Sequence, residues 1–390
     1  MDRLMTHTLS ASTPVVLPGT PALLSRGGWM TVALALLVAC VVVPAMNLAV
    51  PPGHSLHLDD YWVSLLGKFC CYALCALAMD LIWGFTGILS LGHGLYFALG
   101  GYVMGMYLMR QIGTDGQYRS SLPDFMVFLD WKTLPWHWAL SDSFIATLAL
   151  VLLVPGAVAF VFGFFAFRSR IQGVYFSIIT QAMTYAAMLL FFRNETGFGG
   201  NNGFTDFKRL LGQTITTPGM RMVLFVLSAL TLMGAYVGLR WLTRAKFGRV
   251  LSAVRDAESR LMFCGYSPLP YKLAAWVLSA LLCGVAGALY VPQVGIINPS
   301  EMSVANSIEI AVWAAVGGRG TLAGPIAGAF AVNGAKSWLT QVAPEFWLYV
   351  LGALFVAVTL FMPDGIAGLV RRLRRSRHGG KGVQDNQEAA

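Results

Sequence analysis

Apolar runs close to twenty residues long recur along the chain, and they restrict its possible folds more than any other feature. About twenty helical residues cross the roughly 30 Å hydrocarbon core of a bilayer. Hydrophobic residues make up 56% of the chain and charged residues only 12%, which excludes an ordinary soluble globular protein. We predict an all-α polytopic membrane protein. Its eight expected transmembrane helices lie at residues 29–50, 61–83, 87–109, 143–167, 174–192, 220–242, 273–294 and 346–370.

Residues 303–341 leave two arrangements open. The apolar run SVANSIEIAVWAAV is short for a span and contains Glu309, and the polar GGRGTLAGP separates it from a second short apolar run. This part of the chain forms either two short spans or a re-entrant hairpin, and both return the chain to the same side. Around the transmembrane domain, residues 29–370, we expect a flexible cytoplasmic segment at 1–28 and a basic cytoplasmic tail at 371–390.

Lysine and arginine set the expected orientation. The basic clusters lie at 168–170, in the loop 243–268 and in the C-terminal tail, and the positive-inside rule places all three in the cytoplasm. Counting the spans back puts the N-terminus in the cytoplasm as well. The net charge of +9 therefore indicates orientation and contact with anionic membrane lipid, and it gives no reason to expect nucleic acid as a partner.

The charged stretch 243–268 lies between two apolar runs and is too polar to cross a bilayer. Apolar residues within it recur at helical spacing, which predicts a short amphipathic helix. Gly265 is the expected helix stop, and Pro268 and Pro270 prevent continuation into the next span. Such a helix suits the transmission of force from a soluble partner; the alternative is an ordinary positive loop that only fixes orientation. The apolar positions are Phe247, Val250, Leu251, Val254 and Leu261.

A glycine-rich island, GFTGILSLGHGLYFALGGY at 84–102, places Ser90 and His93 inside an otherwise apolar span. Closely spaced glycines can expose backbone carbonyls, and a histidine there can face a polar cavity. Ser90 and His93 are therefore candidate residues of a translocation pathway. The alternative is that the glycines serve helix packing and that His93 forms a hydrogen bond to a neighbouring helix.

A second polar island, residues 298–325, contains Asn306 and Glu309. An acid near the centre of a span costs roughly 2.5–3.5 kcal/mol unless it faces the bundle interior, so Glu309 and the nearby Asn306 are further pathway candidates. The alternatives for Glu309 are an ion pair with Arg319 or a shallow position. We predict that the two islands approach each other and line the pathway.

No catalytic or nucleotide-binding pattern accompanies these islands. The sequence has no P-loop motif, no HExxH and no GxSxG. We therefore expect a transport subunit and not an enzyme, without a cofactor or metal of its own, and any ATP drive must come from a separate subunit. The six cysteines lie mostly in apolar runs without nearby metal ligands, so we expect them to act as small buried residues.

Four motifs carry a resemblance to a known family. From about Leu65 to Gly365 the chain resembles the branched-chain amino acid type of ABC permease. Within that group it is most similar to the second permease subunit of urea importers. The Ser-Leu-Gly-His run at 90–93 belongs to the same pattern. The four motifs are GGNNGFTDFK (199–208), VRDAESR (254–260), YVPQVGIINPSEM (290–302) and NSIEIAVWAAVGGRGTLAGP (306–325).

The charged stretch 243–268 resembles the cytoplasmic coupling loop of ABC importer permeases. On this resemblance, Arg255, Glu258 and Gly265 are assigned to coupling with the ATPase subunits. The chain departs from the strict form of the loop, in which two alanines follow the glutamate, because Ser and Arg stand at those positions here.

The resemblance implies a heterodimeric permease with a homologous second permease subunit, two ATP-binding subunits and an extracytoplasmic substrate-binding protein. It also implies import across the bacterial inner membrane, with urea as the expected solute and branched-chain amino acids or short amides as alternatives. The spans contain few ionisable residues, which favours a neutral solute over a zwitterion. An ATPase-independent channel or a secondary transporter is the competing class, and it leaves the amphipathic helix without a role.

Overall fold

The computed structural model describes residues 23–361 and 365–369. The expected basic tail at 371–390 and most of the expected flexible segment at 1–28 lie outside these residues. Within the described part, the first helix begins at Arg26, slightly before the predicted start of the first span.

Helices make up most of the described chain, and two π-helical segments, Val38–Val42 and Ala45–Ala49, continue the first of them. The α-helices are α1 (Arg26–Leu37), α2 (Asp60–Thr86), α3 (His93–Arg110), α4 (Asp124–Phe128), α5 (Phe144–Arg168), α6 (Val174–Phe191), α7 (Pro218–Arg244), α8 (Lys246–Phe263), α9 (Pro268–Val294), α10 (Val304–Gly317), α11 (Ala323–Val342) and α12 (Trp347–Phe361). Short 3-10 segments lie at Gly113–Asp115, Trp136–Asp142, Asn194–Thr196, Gly200–Asn202, Pro299–Met302 and Pro344–Phe346.

Four two-residue strands form two small antiparallel pairs. The strands β1 (Phe204–Thr205) and β4 (Ile296–Ile297) pair with Phe204 opposite Ile297. The strands β2 (Arg209–Leu210) and β3 (Gln213–Thr214) form a hairpin within one loop. The β1–β4 pair joins the loop before α7 to the end of α9, two segments that are distant in sequence.

In the described part of the chain, six helical segments are long and apolar enough to cross a membrane, which confirms an all-α polytopic membrane protein but not the count of eight spans. α3 has 18 residues but is less apolar, because glycine and tyrosine replace aliphatic residues. Only Leu99 and Arg110 of α3 are not fully buried, so protein surrounds this helix and it needs no lipid-facing surface. The six segments are Arg26–Ala49, Asp60–Thr86, Phe144–Arg168, Val174–Phe191, Pro218–Arg244 and Pro268–Val294.

The third predicted span starts with a non-helical segment, residues 87–92, and α3 begins only after it. Hydroxyl groups of α6 satisfy the backbone of this segment. The Leu91 N–H donates to Thr180 Oγ1 at 3.1 Å, and Ser177 Oγ donates to the Leu89 carbonyl at 2.8 Å. Irregular backbone is tolerated at membrane depth only where protein or a wet cavity supplies such partners.

Residues 303–341 form two helices of unequal length. α10 has 14 residues and rises about 21 Å, which is too short to cross a bilayer, whereas α11 has 20 residues and rises about 30 Å. The turn between them, residues 318–322, packs beside the end of α2, where a Cβ on Gly84 would strike the backbone of Gly320. The glycine-rich island at 84–102 and the polar island at 298–325 therefore meet at this turn.

The helices α3 and α9 cross with their backbones close together. A Cβ on Gly100 would strike the carbonyl of Gly284, and a Cβ on Gly287 would strike the carbonyl of Phe97. Small residues let helix backbones approach closely in membrane proteins, where van der Waals packing drives helix association. These glycines hold α3 in the centre of the bundle, next to the cavity described below.

The connections between helices form two groups at opposite ends of the bundle. We call the basic face the group made of residues 84–92, 168–173 and 244–268, which share one set of contacts. The loop face consists of residues 110–142 and 193–217 with the end of α9, joined by the β1–β4 pair and by a hydrogen bond from Trp138 Nε1 to the Gly197 carbonyl at 3.0 Å. The two groups are opposite because α9 starts in one and ends in the other. That the basic face is cytoplasmic stays a prediction.

The glycine crossing yields a matched test. We expect Gly100→Ala to lower the free energy of unfolding of the detergent-purified protein by about 1–3 kcal/mol, because the added methyl group meets backbone that cannot move aside. Gly234→Ala on α7 is the control, since its Cβ would point into open space and alanine favours helix by roughly 0.5–1 kcal/mol. Thermal unfolding of both variants measures the difference; equal melting temperatures would contradict the close crossing.

Candidate translocation cavity and coupling helix

A polar cavity of about 200 Å³ lies where α2, α3, α9, α10 and α11 come together. Four ionisable side chains reach it: Lys68 from α2, Glu301 from the 3-10 turn before α10, Glu309 from α10 and Lys336 from α11. Lys68 lies in the first third of its helix and Glu301 follows the end of α9, so the cavity lies in the half of the bundle nearer to the loop face. It is the kind of wet interior that permits ionisable residues at membrane depth.

Two of the cavity charges form a closed ion pair. Lys336 Nζ donates to Glu309 Oε1 at 2.8 Å and to Glu309 Oε2 at 3.0 Å, and only 8% of the Glu309 surface is exposed. Lys336 also lies 5.0 Å from the centroid of the Trp347 ring. The pair connects α10 to α11, and it compensates the charge of an acid that would otherwise be costly to bury.

The other acid of the cavity, Glu301, is held by neutral donors. Tyr290 OH donates to its Oε1 at 3.1 Å, and Asn306 Nδ2 donates to its Oε2 at 3.3 Å. Asn306 Nδ2 also donates to the Ser300 carbonyl at 3.1 Å. The carboxylate is therefore fixed in position between α9 and α10 by hydrogen bonds from neutral groups.

Aromatic rings form the walls of the cavity. The Tyr72 ring lies 4.8 Å from the Trp313 ring and 5.6 Å from the Tyr290 ring, measured between centroids, and Tyr290 lies 5.0 Å from Phe97. Lys68 Nζ lies 5.6 Å from the Tyr72 centroid and 5.9 Å from the Tyr290 centroid. A cation over aromatic faces is attracted by the ring quadrupoles. The walls thus combine flat apolar surfaces with the Lys68 ammonium group, which lies over two of the rings.

The structure separates the four pathway candidates of the sequence. Asn306 and Glu309 line the cavity, whereas Ser90 and His93 are fully buried outside it. His93 Nε2 donates at 2.7 Å to Ser279 Oγ, which itself donates to a backbone carbonyl of α2, so the histidine joins α3 to α9. Ser90 Oγ accepts the Gly92 N–H at 3.2 Å within the non-helical segment. A transport role for these four residues stays a prediction.

One expectation about charge needs correction. Glu309 pairs with Lys336 and not with Arg319, whose guanidinium lies 4.6 Å from the centroid of the Trp83 ring. Few ionisable residues lie in the predicted spans, but Lys68, Glu301, Glu309 and Lys336 converge on one cavity. Sequence reasoning missed this cluster because its members come from four separate elements. The sequence had singled out only Glu309 from this cluster, and a further signal was that Lys68 lies inside a predicted span.

An acid and a glycine-rich turn connect α2 to α11. Asp80 is completely buried; its Oδ1 accepts the Gly320 N–H at 2.6 Å and its Oδ2 accepts the Leu322 N–H at 2.9 Å. Leu322 has a positive φ of 61° and directly precedes α11. A carboxylate suits this place because the N–H groups at a helix start are unpaired and carry partial positive charge. Asp80 thus fixes the turn between α10 and α11 against α2.

The predicted amphipathic helix is present as α8, Lys246–Phe263. Val250, Leu251, Val254 and Leu261 are buried as expected, while Phe247 is only half-buried. Leu251 packs into the main core of the bundle, whereas Val250, Val254 and Leu261 form a separate cluster against Tyr271 of α9, and charged residues cover the outer face. The helix is interrupted at Ala257, whose φ of −161° and ψ of 74° are not helical.

Arg255 of α8 contacts the turns at the ends of α2 and α10. Its Nη1 donates to the Gly84 carbonyl at 2.7 Å, and its side chain lies against Gly87 and Gly320. Its Nε donates to Asp256 at 2.9 Å, and this hydrogen bond lowers the pKa of the Asp256 carboxyl. The guanidinium therefore joins the surface helix to the glycine-rich island at 84–102 and to the polar island at 298–325.

The other two coupling candidates also act within the chain. Glu258 Oε1 accepts from Lys272 Nζ of α9 at 2.7 Å, and Glu258 Oε2 accepts from Gln172 Nε2 of the α5–α6 loop at 3.1 Å. Gly265 has a φ of 82° and ends α8 as predicted: its N–H donates to the Met262 carbonyl, and the next N–H donates to the Leu261 carbonyl. These contacts fix α8 to the membrane domain; their part in ATPase coupling stays a prediction.

The chain forms a bundle of membrane-length helices around a polar cavity, and a surface helix packs on one face of the bundle. This architecture is typical of membrane transport proteins. Residues 61–359 match the family described as branched-chain amino acid transport system / permease component. Because the match covers most of the chain, the chain belongs to this family.

Two branched-chain amino acid permease proteins share most of their length with this chain. It is similar to the high-affinity branched-chain amino acid transport system permease protein LivM of Salmonella typhimurium, with 25% identity over 337 residues, 80% of this chain and 72% of that protein. It is also similar to the corresponding protein BraD of Pseudomonas aeruginosa, with 23% identity over 310 residues, 76% of this chain and 91% of that protein. The xylose transport system permease protein XylH of Escherichia coli matches 38% of this chain and 37% of its own length at 26% identity. No solved structure matches the chain.

The Glu309–Lys336 pair yields a stability prediction. We expect Lys336→Met to destabilise the purified protein by about 1–3 kcal/mol, because Glu309 is left buried without its partner. The double variant Glu309→Gln with Lys336→Met should recover part of the loss, since no unpaired charge remains. Thermal unfolding of the two single variants and the double variant measures this coupling. Strictly additive effects would mean that the two side chains do not stabilise each other.

Proposed function

We propose that this chain is one permease subunit of an ATP-driven importer of the bacterial inner membrane. It would work with a homologous second permease subunit, two ATP-binding subunits and an extracytoplasmic substrate-binding protein. Solute delivered at the loop face would cross through the cavity, and ATP hydrolysis at the basic face would drive the change of access. The family membership supports this assignment, because its members are permease components of transport systems.

One contact carries the coupling part of the proposal. Arg255 of α8 reaches the Gly84 carbonyl at 2.7 Å and lies against the turn that contains Gly320. The segment that follows Gly84 leads into α3, and the turn that contains Gly320 leads into α11. Both helices line the cavity. A displacement of α8 by an ATP-binding subunit would therefore move two cavity walls through a single side chain. A self-contained channel would have no use for this connection.

Urea is the solute that we propose. The resemblance of the motifs at 199–208 and 306–325 to urea importer permeases supports it, and so does a small cavity rich in hydrogen-bonding groups. Branched-chain amino acids are the second candidate, favoured by the relatives' transport systems and by the opposite charges of Lys68 and Glu301. ATP-dependent uptake of labelled urea and labelled leucine by proteoliposomes with the whole complex would separate the two. Uptake that continues without the ATP-binding subunits would instead indicate an ATPase-independent channel or a secondary transporter.

The coupling contact yields a mutational prediction. We expect Arg255→Ala to lower ATP-dependent uptake at least about tenfold, because a hydrogen bond from a charged donor is lost. Arg249→Ala is the matched control, since it removes an exposed arginine from the same helix. Uptake and ATP hydrolysis are measured together in the reconstituted complex. Uptake should fall while the ATP-binding subunits remain bound; unchanged uptake in Arg255→Ala would remove the main support for coupling through α8.

A further inference from the structure

The four ionisable side chains of the cavity fall into a closed pair and an open pair. Glu309 and Lys336 satisfy each other through both carboxylate oxygens. Lys68 and Glu301 face the same cavity, but no ion pair joins them among the residues that the structure describes. The open pair is therefore the part of the cavity that has charge and hydrogen-bonding capacity left for a ligand.

Lys68 keeps its N–H groups available. Its ammonium lies over the Tyr72 and Tyr290 rings and donates to no acceptor within residues 23–361 and 365–369. The rings compensate part of the positive charge without occupying an N–H group. An ammonium has three donors, so a ligand in the cavity can accept from Lys68 without breaking an existing hydrogen bond.

Glu301 offers the complementary half. Its oxygens accept one hydrogen bond each, from Tyr290 OH and from Asn306 Nδ2. A carboxylate has about four lone-pair sites, so roughly two remain free. Tyr290 touches both halves of the pair, because its ring lies under Lys68 and its hydroxyl holds Glu301. This shared contact fixes the spacing between the free donors and the free acceptors.

We propose that Lys68 and Glu301 form the solute-recognition site of the pathway, and that its ligand is a small uncharged molecule of the amide class, urea included. Lys68 donates to the carbonyl oxygen of the solute, and Glu301 accepts from N–H groups of the same molecule. The flat faces of Tyr72 and Tyr290 complete a site for a planar group. This proposal rests on the proposed function as an importer permease and specifies which residues select the solute.

A neutral ligand fits the open pair better than a zwitterion. The charge of Lys68 is already partly compensated by two rings and that of Glu301 by two hydrogen bonds, so neither requires a counter-ion. The cavity as a whole holds two lysines and two glutamates and is balanced without a ligand. A pathway site must also release its solute, and neutral hydrogen bonds do this more readily than two new ion pairs.

Isosteric and non-polar substitutions distinguish the two ligand classes. Lys68→Met and Glu301→Leu remove the hydrogen-bonding group, whereas Lys68→Gln and Glu301→Gln remove only the charge. ATP-dependent uptake of labelled urea, acetamide and leucine is measured at subsaturating concentration in proteoliposomes that contain the whole complex. We expect urea and acetamide uptake to fall at least about tenfold in the non-polar variants and clearly less in the glutamine variants.

Three results would overturn the recognition site. If leucine is the transported solute and the glutamine variants lose as much uptake as the non-polar ones, the ligand is a zwitterion. If all four variants transport urea like the wild type, the pair does not contact the solute. If the exposed-residue controls Lys132→Met and Glu195→Gln lose as much as the cavity variants, the effect is not local.

Assembly is monitored by co-purification of the ATP-binding subunits. Where a non-polar variant does not assemble, Lys68→Arg and Lys68→Gln decide. A partial fall of urea uptake in Lys68→Gln supports a neutral ligand, whereas complete loss in Lys68→Gln with uptake retained in Lys68→Arg contradicts it. Wild-type urea uptake in both variants means that Lys68 does not contact the solute. A different result would contradict the proposed function itself: a wild-type complex that shows no ATP-dependent uptake of any of the three solutes. Transport by the wild type with insensitive variants overturns only the recognition site.

Discussion

Non-helical backbone inside a membrane domain needs hydrogen-bond partners from the protein, because lipid supplies none. Two glycine-rich turns, at 84–92 and 318–322, impose this demand at the basic end of the bundle. The carboxylate of Asp80 satisfies the second turn, and hydroxyls of α6 satisfy part of the first. The Gly84 carbonyl accepts from Arg255. The arrangement of α2, α3, α6, α8 and α11 follows from meeting these requirements together.

The same turns place the cavity and the surface helix in contact. Each turn leads directly into a helix that lines the cavity, α3 in one case and α11 in the other. Arg255 touches both turns from outside the bundle, and Glu258 fastens the same helix to α9 through Lys272. Discrete contacts of this kind give α8 a mechanical connection to the cavity walls.

Local patterns predicted those features that depend on neighbouring residues. The spacing of Val250, Leu251 and Val254 predicted the buried face of α8, because residues three and four apart share one side of a helix. Gly265 was predicted as its end, because glycine readily takes the positive φ that stops a helix. The helices long enough to span a membrane followed from apolar length, whereas α3 shows the limit of that rule: protein surrounds it, so its composition is less apolar.

By itself the sequence determined that this is a polytopic membrane protein, where most of its helices run, and that a charged amphipathic helix lies between two of them. Its motifs also indicated the permease family to which the chain belongs. Only the tertiary structure decided which charges meet. Glu309 finds Lys336, 27 residues away on the next helix, and Lys68 shares a cavity with Glu301. Neighbours across different helices depend on how glycine crossings and turns pack the bundle, and no local periodicity records that packing.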